Sequence, residues 1–181
     1  MAYNTARTMY EGFKESADKR KDAPCFYYYG ATLTWNEVSE MIDTCAAAMV
    51  ACGVKKGDRV TICAPNMPQC IAAIYAVNKI GAVASMLHPL SVKSEAEYAV
   101  KLVGAKFAFC FDVSEKAFDG MDITLVKCPT AYYFPKTLMG TIYKMGYKKK
   151  IKGKTAPANV TTKYDWSDFL KLGKQYIKEN G

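Results

Sequence analysis

GVKKGDRVTICAPNMPQCIAAIYAVNKIGAVASMLHP, residues 53–89, decides the fold. It reads as the end of one helix, a strand, a second helix and a second strand, and each junction carries its own chemistry. Gly53 is a left-handed stop after an apolar helical stripe. Arg59–Cys63 is a short apolar run with β-branched residues. Asn66 is placed to cap the next helix, with Gln69 three residues on and Pro68 in the first turn, where a missing N–H costs little. That helix is expected to end near Gly81, and Ala82–Met86 to form the next strand.

The same grammar extends outward. Upstream, CFYYYGATLTW (25–35) predicts a β-hairpin, with Gly30-Ala31 in a type II′ turn. Thr34 and Glu37 then form a capping box. Trp35, Val38, Met41, Ile42, Cys45, Ala46, Met49 and Cys52 follow as a stripe at helical spacing. Downstream, Ser94 and Glu97 are expected to cap a third helix that stops at Gly104, and Lys106–Phe111 reads as a third strand. Strand, helix, strand, helix, strand makes two successive βαβ crossovers, which are right-handed and build a parallel sheet. The expected fold class is therefore α/β: a parallel sheet from successive βαβ units with flanking helices, preceded by a hairpin. Val60, Ile62, Val83 and Phe109 suit a sheet covered on both faces.

At the N-terminus Tyr3, Ala6, Met9, Tyr10 and Phe13 predict an amphipathic opening helix. Beyond Asp112 the pattern loosens. Ser114–Phe118 reads as a short helix, Ile123–Val126 as a strand, 136–148 as a helix, Lys148–Lys154 as a basic loop, and Trp166–Ile177 as a helix capped by Asp165. The expected organisation is an α/β body over 1–126 and a basic helical and loop extension over 127–181 within the same truncated domain.

Composition bounds the answer. Half of the 181 residues are hydrophobic, which argues against intrinsic disorder. No apolar run reaches the roughly 18–20 residues that span a bilayer, and the N-terminus lacks the apolar stretch of a secretory signal. The seven cysteines are odd in number and form no C-x-x-C pair. They point to reduced, buried thiols in a cytoplasmic protein rather than to a metal site. The net charge of +8 is uneven: residues 1–126 sum to −1 and 127–181 to +9.

LTWNEV, a helix ending in GVKKGDRV, APNMPQ and NKIGAVASMLHP, in that order and spacing, resemble the N-terminal region of the adenylate-forming (AMP-binding) acyl-CoA synthetases. The resemblance is sharpest over 26–111. It implies a fatty-acid–CoA ligase that uses ATP, Mg and CoA to convert a carboxylic acid to acyl-AMP and then acyl-CoA. It also implies a Ser/Thr/Gly-rich phosphate loop ending in Pro-Lys-Gly. The nearest fragments here, Lys136-Thr137 and Lys152-Gly153-Lys154-Thr155, lack the glycine-rich cradle. The chain is thus expected to be an N-terminal portion that stops before the active site, inactive alone, binding no cofactor and free to self-associate through an uncovered face.

No catalytic, cofactor-binding or metal-ligating residue is assigned. His88, the single histidine, follows a strand at its carboxyl end, where α/β folds bind ligands. It is the candidate substrate-pocket residue, beside the plainer reading of a turn before Pro89. Tyr27-Tyr28-Tyr29 and Tyr132-Tyr133-Phe134 read as packing aromatics rather than base-stacking platforms, and no nucleic-acid role is expected. Lys144, Lys148, Lys149, Lys150, Lys152 and Lys154 form a basic cluster able to touch an anionic membrane surface, or to lie solvated. The alternative to a ligase portion is a stand-alone α/β interaction module that uses this segment on a membrane or a protein partner.

Overall fold

The computed structural model describes residues 7–180. A capping box between Thr8 and Glu11 starts α1 (Met9–Arg20). Tyr3 and Ala6 lie outside the described residues. Strands β1 (Pro24–Tyr28) and β2 (Ala31–Thr34) pair antiparallel. The turn sits one residue earlier than expected. Its central residues are Tyr29 (φ 50°) and Gly30 (φ 85°), both positive, which is type I′ rather than II′. The Tyr29 ring packs 4.5 Å from that of Phe134.

Helix α2 (Trp35–Ala51) begins at the expected Thr34–Glu37 capping box. Then follow β3 (Arg59–Cys63), α3 (Pro68–Lys79), β4 (Val83–Met86), α4 (Lys93–Val103) and β5 (Phe107–Phe111). Gly53, Gly81 and Gly104 have φ of 86°, 72° and 65° and close the three helices as expected. Two helix starts differ from those the sequence predicts. Met67, not Asn66, stands at the cap of α3 and makes no side-chain cap. Val92, not Ser94, precedes α4, and its N–H is accepted by Glu95 at 3.2 Å.

Beyond β5 come a 3₁₀ turn at Glu115–Phe118, β6 (Thr124–Cys128), a second 3₁₀ turn at Thr130–Tyr133, α5 (Leu138–Ile151), β7 (Thr162–Asp165) and α6 (Trp166–Asn180). Lys148–Lys150 continue α5 rather than forming a loop. β7 was not foreseen: its TKYD is short and polar, and its pairing is with β6, far away in sequence.

The main sheet has five parallel strands in the order β4-β3-β5-β6-β7. Its faces differ because β5 alternates large and small residues. Phe107, Phe109 and Phe111 join Val60, Ile62 and Val126 on one face, under α1, α2, α3 and α6. Ala108 and Cys110 join Cys63 and Leu125 on the other, under α4 and the first 3₁₀ turn. On the thick face α6 sends Phe169 to 5.9 Å from Phe107 and 5.6 Å from Phe109, while α2 packs along α6.

All seven cysteines are free thiols, five of them buried. Burial pushes Cys63 and Cys70 from the ordinary 9.0 up to about 11. The folded chain therefore holds these protons more tightly than the unfolded chain. Their contribution to stability is full below pH 9 and falls as pH rises toward 11. Denaturation midpoints measured from pH 7 to 11 with a phosphine reductant should decline across that window; a flat profile would mean that the thiols are solvated.

A Cβ on Gly173 would overlap the Thr44 carbonyl oxygen of α2. The close approach of α2 and α6 thus requires glycine. Gly173→Ala should destabilise the protein by about 1–3 kcal/mol through overpacking, read as a lower urea midpoint. An unchanged midpoint would place α6 farther from α2.

Candidate functional site

The chain steps from β3 out to β4, then crosses back over β3 to β5. The carboxyl ends of β3 and β5 are therefore where the winding reverses, the position at which open α/β sheets bind ligands. Here Ser114 closes that crevice. Its Oγ donates to the Cys63 carbonyl at 3.1 Å and accepts from the Phe111 N–H at 3.2 Å. At the start of α3, Met67 and Gln69 are fully buried, and Gln69 Nε2 donates to the Pro129 carbonyl at 2.8 Å. Sequence reading assigned Gln69 to a cap; it instead ties α3 to the end of β6.

His88 lies exposed at the same rim, just past β4. Its Nδ1 accepts from the Leu90 N–H at 3.2 Å, and its carbonyl accepts from the Cys63 thiol at 3.4 Å. These bonds close a turn before α4 and leave the far side of the ring open.

Two groups of polar residues that sequence reading missed occupy the rim beside the crevice. The first is centred on Asp112, directly after β5. Its Oδ2 accepts from the Thr130 N–H at 2.7 Å and from the Tyr147 hydroxyl at 3.0 Å. That hydroxyl also lies 2.8 Å from Thr130 Oγ1. Tyr28 reaches across from the hairpin to donate to the Thr130 carbonyl at 3.1 Å. Burial, reinforced by the Asp112 carboxylate, holds the Tyr147 pKa well above the ordinary tyrosine value. The signal available in the sequence was an aspartate at a strand's carboxyl end, although its partners lie 18 and 35 residues away.

The second group surrounds a shallow pocket of about 250 Å³ lined by Asp112, Glu115, Lys127, Ile151, Thr155, Ala156, Pro157 and Lys163. Glu115 is buried. Its Oε1 accepts from Lys163 at 3.1 Å and from the Ala158 N–H at 3.2 Å, and its Oε2 faces Lys127 at 3.7 Å. Lys127 also meets Asp165 at 3.0 Å. Burial works against the Lys127 charge, but the Asp165 hydrogen bond and the Glu115 carboxylate outweigh it and raise its pKa.

These residues do not fit Mg-ATP. Glu115 and Asp165 are ion-paired, Asp112 is occupied by two donors, and Ser114 bridges two strands. None of them presents a free ligand set for magnesium or a run of amides for phosphates. The arrangement locks the rim together: the hairpin, β5, β6, β7 and α5 meet there. The two aromatic runs meet as well, with Tyr28 and Tyr29 packed on Phe134.

A sequence profile of the AMP-binding enzyme family matches residues 13–161, and the chain belongs to that family. The long-chain-fatty-acid–CoA ligase of Bacillus subtilis is 26% identical over 152 residues, covering 80% of this chain and 27% of that protein. Surfactin synthase subunit 1 of the same organism is 29% identical over 102 residues, 56% of this chain and 3% of that protein. The chain thus spans about a quarter of the first relative's length and far less of the second's. Among solved structures, the N-terminal domain of FACL13 from Mycobacterium tuberculosis superposes with a TM-score of 0.63 at 17% identity, over 91% of this chain and 35% of that one. That likeness shows the shared α/β fold.

Tyr147→Phe would leave Asp112 and Thr130 short of a partner at a half-buried site. It should cost about 1–3 kcal/mol of stability. Tyr143→Phe, on the exposed part of the same helix, should change stability by less than about 0.5 kcal/mol. Equal midpoints for the two variants in chemical denaturation would contradict the network.

Proposed function

We propose that this chain is the N-terminal portion of an acid–CoA ligase that activates a carboxylic acid, in particular a fatty acid, through acyl-AMP to acyl-CoA. Membership of the AMP-binding family carries the reading. The match to a fatty-acid–CoA ligase along 80% of the chain supports the substrate class. ATP, Mg and CoA are the reactants and metal of that chemistry. The residues of this chain supply the sheet, its covering helices and a locked carboxyl rim, and no step on ATP runs through them. His88, exposed at the end of β4, is the residue of this segment assigned to the wall of the acid pocket. A cytoplasmic setting accords with seven free thiols. Among the described residues no helix is long and apolar enough to cross a membrane.

The purified 181-residue chain given Mg-ATP and palmitate should release no pyrophosphate. Release dependent on the acid would overturn the placement of the catalytic groups outside it. Coding sequence that continues past the Gly181 codon into a Ser/Thr/Gly-rich segment ending in Pro-Lys-Gly supports the ligase reading. A stop codon there favours the stand-alone interaction module.

A further inference from the structure

The outer edge of β4 is bare. Among the described residues β4 pairs with β3 alone. The Val83 N–H donates to the Asp58 carbonyl at 2.8 Å and the Leu87 N–H to the Ile62 carbonyl at 2.9 Å. Successive strand residues alternate in direction. Ala84 and Met86 therefore turn both N–H and C=O away from β3. Edges of this kind are ordinarily blunted by charge, proline or a bulge. Here no Asp, Glu, Lys or Arg occurs between Lys79 and Lys93, and Val83 and Met86 are more than half exposed.

A helix stands beside this edge. Val83 is in register with Arg59, so it shares the sheet face of Cys63, the face that carries α4. Lys93 of α4 meets Asp119 at 3.7 Å, which turns that flank of the helix to the first 3₁₀ turn. At about 100° per residue, Glu95, Tyr98 and Leu102 fall on the other flank, toward β4 and solvent. Tyr98 and Leu102 are about two-thirds exposed. Strand edge and helix flank form one step of apolar surface.

We propose that β4 is a self-pairing edge through which two copies of this chain form a symmetric dimer. The two β4 strands run antiparallel about a two-fold axis at Ser85. Ala84 of each copy and Met86 of the other then exchange both N–H···O bonds, and the two five-stranded sheets become one. The same register sets Val83 beside Leu87 of the second copy. The two α4 helices run antiparallel above the joined strands, with Tyr98 and Leu102 turned to the seam. Their charges suit this arrangement. Lys93, Glu95, Glu97 and Lys101 cancel, so the seam escapes the repulsion of a chain carrying +8. Lys93 and Glu97 are paired; Lys101 takes part in no salt bridge among the described residues, and it comes level with Glu95 of the second copy. An unrelated extended peptide would satisfy the strand and leave the helix flank in water, whereas a second copy covers both. A four-residue edge and one helix flank make a small interface, so monomer and dimer exchange with concentration. The inference stands on β4 and α4 and does not depend on the ligase reading.

Sedimentation of the purified chain over a range of concentrations tests it, and a dimer should grow in as concentration rises. Met86→Pro removes an outward N–H that the monomer does not use, and should raise the dissociation constant about tenfold or more. Val83→Lys, which charges the edge, should do the same. Leu138→Lys, at an exposed site on α5, should leave the dimer unchanged. Circular dichroism and denaturation midpoints of all three should match the unaltered chain. Ser85→Cys reads the register: cysteines facing each other at the two-fold axis lie within disulfide reach. Oxidation with copper phenanthroline should then give a cross-linked dimer on a non-reducing gel that the unaltered chain does not give. A monomer at every concentration overturns the proposal. So does a dimer that Met86→Pro and Val83→Lys leave intact, that Leu138→Lys alone dissolves, or that Ser85→Cys fails to cross-link, because the contact then lies elsewhere.

Discussion

The structure depends on the alternation of β5. FAFCF places three phenylalanines on one side of the sheet and an alanine and a cysteine on the other, because successive strand side chains point to opposite faces. β5 is central in the sheet, hydrogen-bonded to β3 and β6, so its two faces set the depth of the two cores. The aromatic side needs large partners at a distance, and Trp166 and Phe169 of α6 provide them, with Phe109 6.4 Å from Trp166. The small side lets α4 and the first 3₁₀ turn approach closely through Ala96, Ala117 and Phe118. A reversal of this alternation would crowd the thin face and leave a void beneath α6, at the several kcal/mol typical of cavities and overpacking.

What was legible in the sequence follows from how local each signal is. Thr34 and Glu37 are three residues apart and need only each other, and their capping box forms as read. The glycines after α2, α3 and α4 answer to backbone sterics alone, and all three have positive φ. Signals that depend on distant partners were not legible. Gln69 has the spacing of a capping residue, but the Pro129 carbonyl, 60 residues away, claims its amide. The hairpin turn lies one residue earlier, with Gly30 at its second central position and Tyr29 at the first, where its ring packs against Phe134. β7 has the composition of a polar loop and becomes a strand because β6 offers an unpaired edge. The rim residues Asp112, Thr130 and Tyr147 were missed for the same reason.

α5 shows where hydrophobic periodicity misleads. Leu138, Ile142 and Met145 mark the helix correctly, and the ordinary inference would turn them to the core. Gly140 and Tyr147 decide otherwise. Glycine permits the close contact with Pro135, and tyrosine finds hydrogen-bond partners that an aliphatic side chain could not use. The polar and small face is therefore the buried one. A periodic stripe locates a helix but does not by itself fix its rotation when the opposite face carries specific partners.

The two edges of the sheet are unequal in a way that constrains how it can extend. β7 presents Lys163 and Asp165, whose charges are engaged with Glu115 and Lys127. Charged, paired side chains make an edge a poor template for another strand. β4, by contrast, leaves Val83 and Met86 more than half exposed. Nearby, Tyr98 and Leu102 of α4 are about two-thirds exposed, on the face that a single helix and a short turn cover. Apolar surface here adjoins an unpaired run of strand N–H and C=O groups. Further structure that pairs with β4 would satisfy those groups and bury this surface in one step, at roughly 25 cal/mol per Å² of apolar area. No such gain is offered at β7, where the ion pairs would first have to be desolvated.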